Sequence, residues 1–107
     1  MVLGFTFKEN CPDVRNTRVI DIVNELKSYQ ARVSICDPWA EPEHVQHEYG
    51  ITTFKDFSQS HEKYDAVILA VAHSAFDNLD IRKLINGRSV IYDVKGVLTF
   101  DVIDGRL

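Results

Sequence analysis

Hydrophobic positions along the chain fall in short blocks separated by polar junctions, and the spacing changes from block to block. Val2 to Thr6 opens with a run of strand length, Val2-Leu3-Gly4-Phe5. From Thr17 to Tyr29 the apolar residues Val19, Ile20, Ile22, Val23 and Leu26 recur at helical spacing, which predicts a helix with one apolar face. Asn16 or Thr17 is placed to cap it. Arg32 to Cys36 predicts a second strand, ended by Asp37-Pro38. Glu41 to Tyr49 predicts a short polar helix stopped by Gly50. Ile51 to Phe54 has the length of a short strand, and Asp56 to Lys63 that of a helical turn. Asp65 to Ala72 is a continuous apolar run, as expected of a central parallel strand buried on both faces. Ser74 is placed to cap the turn after it. Asp80 to Ile85 predicts a helix ending at Asn86-Gly87, Ser89 to Val94 another buried strand, and Val97 to Leu107 leaves room for a last one.

Strands alternating with helices give an α/β fold with a mostly parallel sheet and helices on both faces. In such sheets ligands bind beyond the carboxyl ends of the strands. Four junctions belong there: Phe7-Lys8, Asp37, Ala72-His73 and Asp93-Val94-Lys95. The 107 residues form one domain, without linker, repeat or low-complexity segment. A strand beginning at Val2 suits a natural domain, and equally a fragment of a longer protein with a methionine added. The net charge of -4 argues against general nucleic-acid or anionic-membrane binding but leaves room for a local basic pocket. No apolar run approaches the roughly 20 residues that span a bilayer, and the N-terminus does not have the pattern of a signal peptide. Cys11 and Cys36 have neither zinc spacing nor a disulfide framework, so two reduced thiols in a cytoplasmic protein are expected.

The candidate chemistry is concentrated on the junction after the first strand. Most nucleotide-binding folds place glycines there. This chain places Lys8 and Arg15 there instead, and it has neither GxGxxG nor a P-loop. A lysine point charge and an arginine fork suit a phosphate or carboxylate. Alternatively, Arg15 pairs with Asp13 or Glu9 and only braces the loop. Asp37 stands where dinucleotide folds carry a ribose-binding acid, but without the glycine motif a turn-forming Asp-Pro is the better reading. Trp39 can stack on a base or simply pack. Lys95 suits an anion, or a salt bridge to Asp93 or Asp101. His73 is either a ligand contact or a histidine packed against the neighbouring turn. His44 and His47 lie i, i+3 but have no third ligand, so a solvated face is expected rather than zinc. Cys11 is the one candidate nucleophile on the loop, and the adjacent Asp13 would disfavour its thiolate. No nucleophile–base–orienter set appears, so no catalytic residue and no metal site is assigned.

With these residues in view, the chain resembles the C-terminal, UDP-binding domain of the UDP-glucose/GDP-mannose dehydrogenase family. The motifs that carry the resemblance are Leu3-Gly4-Phe5-Thr6-Phe7-Lys8, Asp13-Val14-Arg15-Asn16-Thr17, Cys36-Asp37-Pro38, Ala70-Val71-Ala72-His73 and Tyr92-Asp93-Val94-Lys95-Gly96. The form Lys-Glu-Asn-Cys-Pro-Asp-x-Arg-Asn-Thr is similar to the branch that oxidises UDP-N-acetylhexosamines. The resemblance implies a three-layer Rossmann-like domain covering the UDP-sugar of an enzyme that oxidises the sugar C6 alcohol to a carboxylate with NAD, as in polysaccharide biosynthesis. It places Phe7, Lys8 and Lys95 at the substrate and Arg15 at NAD. It also implies a cytoplasmic homo-oligomer when full length.

The N-terminal NAD domain of the family and its Gly-Gly-x-Cys-x-Pro segment with the catalytic cysteine are not in this sequence. Residues 1–107 are therefore expected to be one UDP-sugar-binding domain of a longer dehydrogenase, inactive alone, with NAD held mainly by the N-terminal domain. Cys11 does not match the catalytic position. The rival expectations are a receiver-like signalling module, which would need an acidic pair where this chain has Thr6-Phe7-Lys8, and a purely structural α/β domain.

Overall fold

The computed structural model describes residues 1–56, 62–77, 79–95 and 103–106. Five strands form one sheet in the order β2-β1-β3-β4-β5: β1 (Val2–Leu3), β2 (Ile35–Cys36), β3 (Tyr64–Leu69), β4 (Ile85–Asp93) and β5 (Gly105–Arg106). Every strand pair is parallel. Phe54 adds a single parallel bridge outside β2, in place of the expected short strand. The expected helical turn over Asp56 to Lys63 falls largely outside the described residues. So does most of the segment Val97 to Leu107, whose described end supplies β5.

The helix α1 (Val19–Ser28) starts two residues later than its periodicity suggested. Thr17 serves its first turn: its hydroxyl accepts from Val19 N–H (3.1 Å) and donates to Phe5 O (2.6 Å). The helix α2 (Pro42–Tyr49) ends at Gly50, whose φ of 69° is the left-handed conformation that suits glycine. The expected helix at Asp80 to Ile85 is a 3-10 turn, Ile81–Leu84, and β4 begins directly after it at Ile85. Asn86-Gly87 therefore lies inside a strand rather than at a helix end.

Register divides the sheet into two faces. Val2, Ile35 and Ile68 point to one face and Leu3, Cys36 and Leu69 to the other. On the first, Val2 and Ile35 pack with Val19 and Val23 of α1 and Val45 of α2. On the second, Leu3, Val67, Leu69 and Ile91 pack with Phe76 and Ile81 of two 3-10 turns, Ser74–Phe76 and Ile81–Leu84. The α-helices thus form one outer layer and the 3-10 turns the other.

The central strand departs from the expectation of burial on both faces. Asp65 and Ala66 of β3 are exposed, and Val90, opposite Ala66 on β4, is 52% exposed. Right-handed crossovers explain this. The helix α1 connects β1 to β2, and α2 connects β2 to the Phe54 bridge beyond it, so both lie on the β1–β2 side of the sheet and leave this part of β3 and β4 uncovered. The connection from β3 to β4 crosses the opposite face.

Because β1 lies between β2 and β3, the chain leaves it in one direction and returns past it in the other. That is the switch point of an open α/β sheet, where the loops after β1 and β3 part. Gly4 brings them together. It has a φ of 96°, and a Cβ there would lie 2.5 Å from Val71 Cβ.

Candidate functional site

All four predicted junctions lie at the carboxyl edge of the sheet, and three of them meet around one carboxylate. Asp37 is fully buried. Its Oδ2 accepts from Phe5 N–H (2.6 Å), Thr6 N–H (2.9 Å) and His73 Nε2 (2.9 Å). Its Oδ1 accepts from Trp39 N–H (2.7 Å) and Ala40 N–H (3.1 Å). Burial pushes its pKa up, but the bonds from His73 and from the amides of Phe5, Thr6 and Trp39 outweigh that and hold it below the usual range. With five donors on two oxygens, Asp37 has no room for a ribose. The turn-forming reading holds, and the residue also anchors the β1 loop.

His73 lies four residues beyond the end of β3, not at it, and is fully buried between Trp39 and Phe76, with ring centroids 6.4 and 5.6 Å away. Its Nδ1 accepts from Asn10 N–H (2.8 Å), so Nδ1 is bare and the ring proton is on Nε2. That proton faces Asp37 Oδ2, with Thr6 Oγ1 at 3.1 Å as a second acceptor. The Thr6 hydroxyl in turn donates to Lys8 O (2.9 Å). Asn10 closes the ring of contacts: its Oδ1 accepts from Ser74 N–H (2.9 Å) and Ser74 Oγ (3.0 Å). Ser74 therefore ties two loops together instead of capping its own turn, which has no side-chain cap. Trp39 packs on this cluster and is 40% exposed.

The predicted contact residues sit above this floor. Phe7 is 55% exposed, while its N–H donates to Asp13 O (2.7 Å). Lys8 and Lys95 are exposed, and among the described residues neither ammonium has an ion-pair partner. Lys95 N–H donates to Asp93 Oδ1 (2.9 Å), which fixes the turn after β4. Lys8 follows β1 and Lys95 follows β4, two strand spacings away, or about 10 Å across the edge. Arg15 is paired: its Nε lies 3.1 Å from Asp13 Oδ1, as the loop-bracing alternative holds. The pair lowers the pKa of Asp13 and raises that of Arg15. It is exposed, and the guanidinium remains open to solvent on its outer side.

The residues that sequence reasoning missed are Thr6 and Asn10, each polar and bonded across loops. Asn10 carried one local signal, since asparagine tolerates the left-handed φ of 55° that it adopts. Cys11 is a half-buried free thiol. Cys36 is buried beneath the edge, where desolvation pushes its thiol up to about 12, out of range of thiolate chemistry. His44 and His47 line a shallow hollow with Pro12, Asp13, Val14 and Arg15. No group of three metal-ligating side chains occurs among the described residues.

The family described as the UDP-glucose/GDP-mannose dehydrogenase family, UDP binding domain, matches residues 1–100. The chain is 51% identical to a UDP-N-acetyl-D-glucosamine 6-dehydrogenase of Pseudomonas aeruginosa, over all of this chain and 26% of that protein. It is 49% identical to the enzyme of the same description from Salmonella typhi, over all of this chain and 25% of that protein. The fold matches the UDP-N-acetyl-mannosamine dehydrogenase Cap5O of S. aureus with a TM-score of 0.67 at 26% identity, over 98% of this chain and 24% of that one. It matches the UDP-D-ManNAc dehydrogenase of Pyrococcus horikoshii with a TM-score of 0.73 at 21% identity, over 98% of this chain and 24% of that one. The chain thus spans about a quarter of the length of the relatives it matches.

Proposed function

Because the chain belongs to the UDP-glucose/GDP-mannose dehydrogenase family, as its UDP binding domain, we propose that its carboxyl edge binds the nucleotide sugar of an NAD-dependent UDP-N-acetylhexosamine 6-dehydrogenase. The observation that carries this reading is that the ammonium groups of Lys8 and Lys95, on one edge above a loop whose backbone is fixed from below, have no ion-pair partner among the described residues. A pyrophosphate carries negative charge over a few ångströms, and two point cations on one edge suit it. Phe7, exposed beside Lys8, supplies an apolar surface for a base or sugar ring.

The residues present do not fit a dinucleotide held by this chain alone. Gly4 is filled by Val71 rather than open to a phosphate, and both oxygens of Asp37 are occupied. In this proposal NAD is held by another part of a longer enzyme, which Arg15 meets from outside. The chain supplies binding and no catalytic group, so the oxidation needs the remaining three quarters of an enzyme of the relatives' length. The assembly is proposed to be a cytoplasmic homo-oligomer. No helix among the described residues is long and apolar enough to cross a membrane.

The test is titration of the chain with UDP-N-acetylglucosamine, followed by amide shifts in NMR. Weak binding is expected, with shifts centred on Phe7, Lys8 and Lys95. Shifts centred elsewhere would refute the assignment. Incubation of the chain alone with UDP-sugar and NAD should give no NADH, and turnover would overturn the division of labour.

A further inference from the structure

We propose that His73 is a positioning residue for the nucleotide-sugar loop, and that its two ring nitrogens do separable jobs. Nδ1 sets the shape of the Phe7–Asn10 segment, while Nε2 secures the buried floor. The inference rests on the reading of Lys8 as a substrate contact.

The hydrogen bonds define both jobs. Through Nδ1, the imidazole accepts the amide of Asn10, two residues beyond Lys8 and in the left-handed conformation. Asn10 has no backbone ladder to join, so this bond and its side-chain contacts to Ser74 pin that turn to the loop after β3. On the other side of Lys8, Thr6 Oγ1 holds the Lys8 carbonyl. Lys8 is therefore clamped from two residues before and two residues after its own position. The Thr6 hydroxyl donates its own proton to the Lys8 carbonyl and needs none from Nε2, so it is the Asn10 clamp that depends on the ring.

Through Nε2, the ring proton satisfies Asp37, which also holds Phe5, Thr6, Trp39 and Ala40. Losing Nε2 removes one of five donors to a carboxylate. Losing Nδ1 removes the imidazole's hold on the turn after Lys8. A loop ordered before the ligand arrives binds more tightly than one ordered on binding.

Two substitutions separate the jobs. His73→Asn places an amide oxygen near the Nδ1 position and removes Nε2. His73→Gln places an amide NH2 near the Nε2 position and removes the Nδ1 acceptor. With UDP as the probe, His73→Gln is expected to lower affinity about five- to tenfold, with residues 7–10 more mobile by heteronuclear NOE. His73→Asn is expected to keep affinity within about twofold and the loop ordered, at a lower urea midpoint.

Equal losses in both variants, or a folded His73→Gln that keeps both affinity and loop order, would overturn the proposal. If the wild-type chain does not bind UDP, the functional reading fails. Loop order in the two unliganded variants then still decides the positioning claim. If a variant fails to fold, the wild-type imidazole nitrogen shifts decide it: the tautomer with its proton on Nε2 supports the assignment, and the tautomer with its proton on Nδ1 overturns it.

Discussion

The floor and the rim of the carboxyl edge use polar residues in opposite ways. In the floor, Asp37 and His73 are fully buried, and Asp37 alone collects five hydrogen bonds. On the rim, Lys8 and Lys95 are exposed, and among the described residues only their backbones are held. The floor contributes conformation and the rim contributes charge. A buried polar group must be fully partnered or it costs stability. A group meant for an outside ligand must be left without an internal partner. The difference teaches that the polar residues nearest the switch point are spent on holding the loops, which leaves the rim lysines as the groups proposed to meet a ligand.

The comparison breaks most readily at Asp37. Asp37→Ala strands five donors and should lower stability by about 4 kcal/mol, read from urea unfolding. A loss under about 1 kcal/mol would mean that the floor is not a unit. Gly4→Ala places a methyl against Val71 at a φ of 96°, and should cost about 2–3 kcal/mol. The opposite end of the sheet gives a third measure. Met1 amine donates to Ala66 O (2.9 Å), and burial lowers its pKa from 8.0 to about 6, partly opposed by Asp65. Between those values the unfolded chain holds a proton that the folded chain has lost, so stability should rise from pH 6 to 8. With the amine partly solvated, the gain is about 1–2 kcal/mol. Acetylating the amine should flatten the rise, and a rise that survives acetylation belongs to another group.

The rim should respond in affinity and barely in stability. Lys8→Ala and Lys95→Ala should each change unfolding free energy by under about 0.5 kcal/mol and weaken UDP binding several-fold. If either lysine proves as costly to fold as Asp37, the division between floor and rim is lost. Arg15→Ala should have the smallest effect on UDP, since its guanidinium is paired with Asp13 and is assigned to another ligand.

Much of this was legible in the sequence. The alternation of blocks led to the parallel α/β sheet, and strand ends at Asp37 and Lys95 marked the right edge. The turn role of Asp37 followed from the proline beside it. What the sequence did not show was set by contacts distant along the chain. Asn10 and His73 are 63 residues apart, and neither has a local pattern that announces the other. The helix expected at Asp80 to Ile85 became a 3-10 turn because Asp80 accepts from Arg82 N–H and the chain enters β4 at once. Ala66 and Val90 read as buried because their runs are apolar. Their exposure depends on which face each crossover takes, and composition does not encode that. The assignment of Phe7, Lys8, Lys95 and Arg15 came from the family resemblance, and the titrations above are its test.

Trp39 has a consequence for the laboratory. It is the one tryptophan in the chain, partly open to solvent, and its indole leans over the imidazole of His73. Indole emission responds to solvent contact and to the groups packed against the ring. The chain therefore carries its own optical gauge on the roof of the floor. A change in fluorescence on adding ligand or denaturant would report on that cluster in the unlabelled protein, before any amide is assigned.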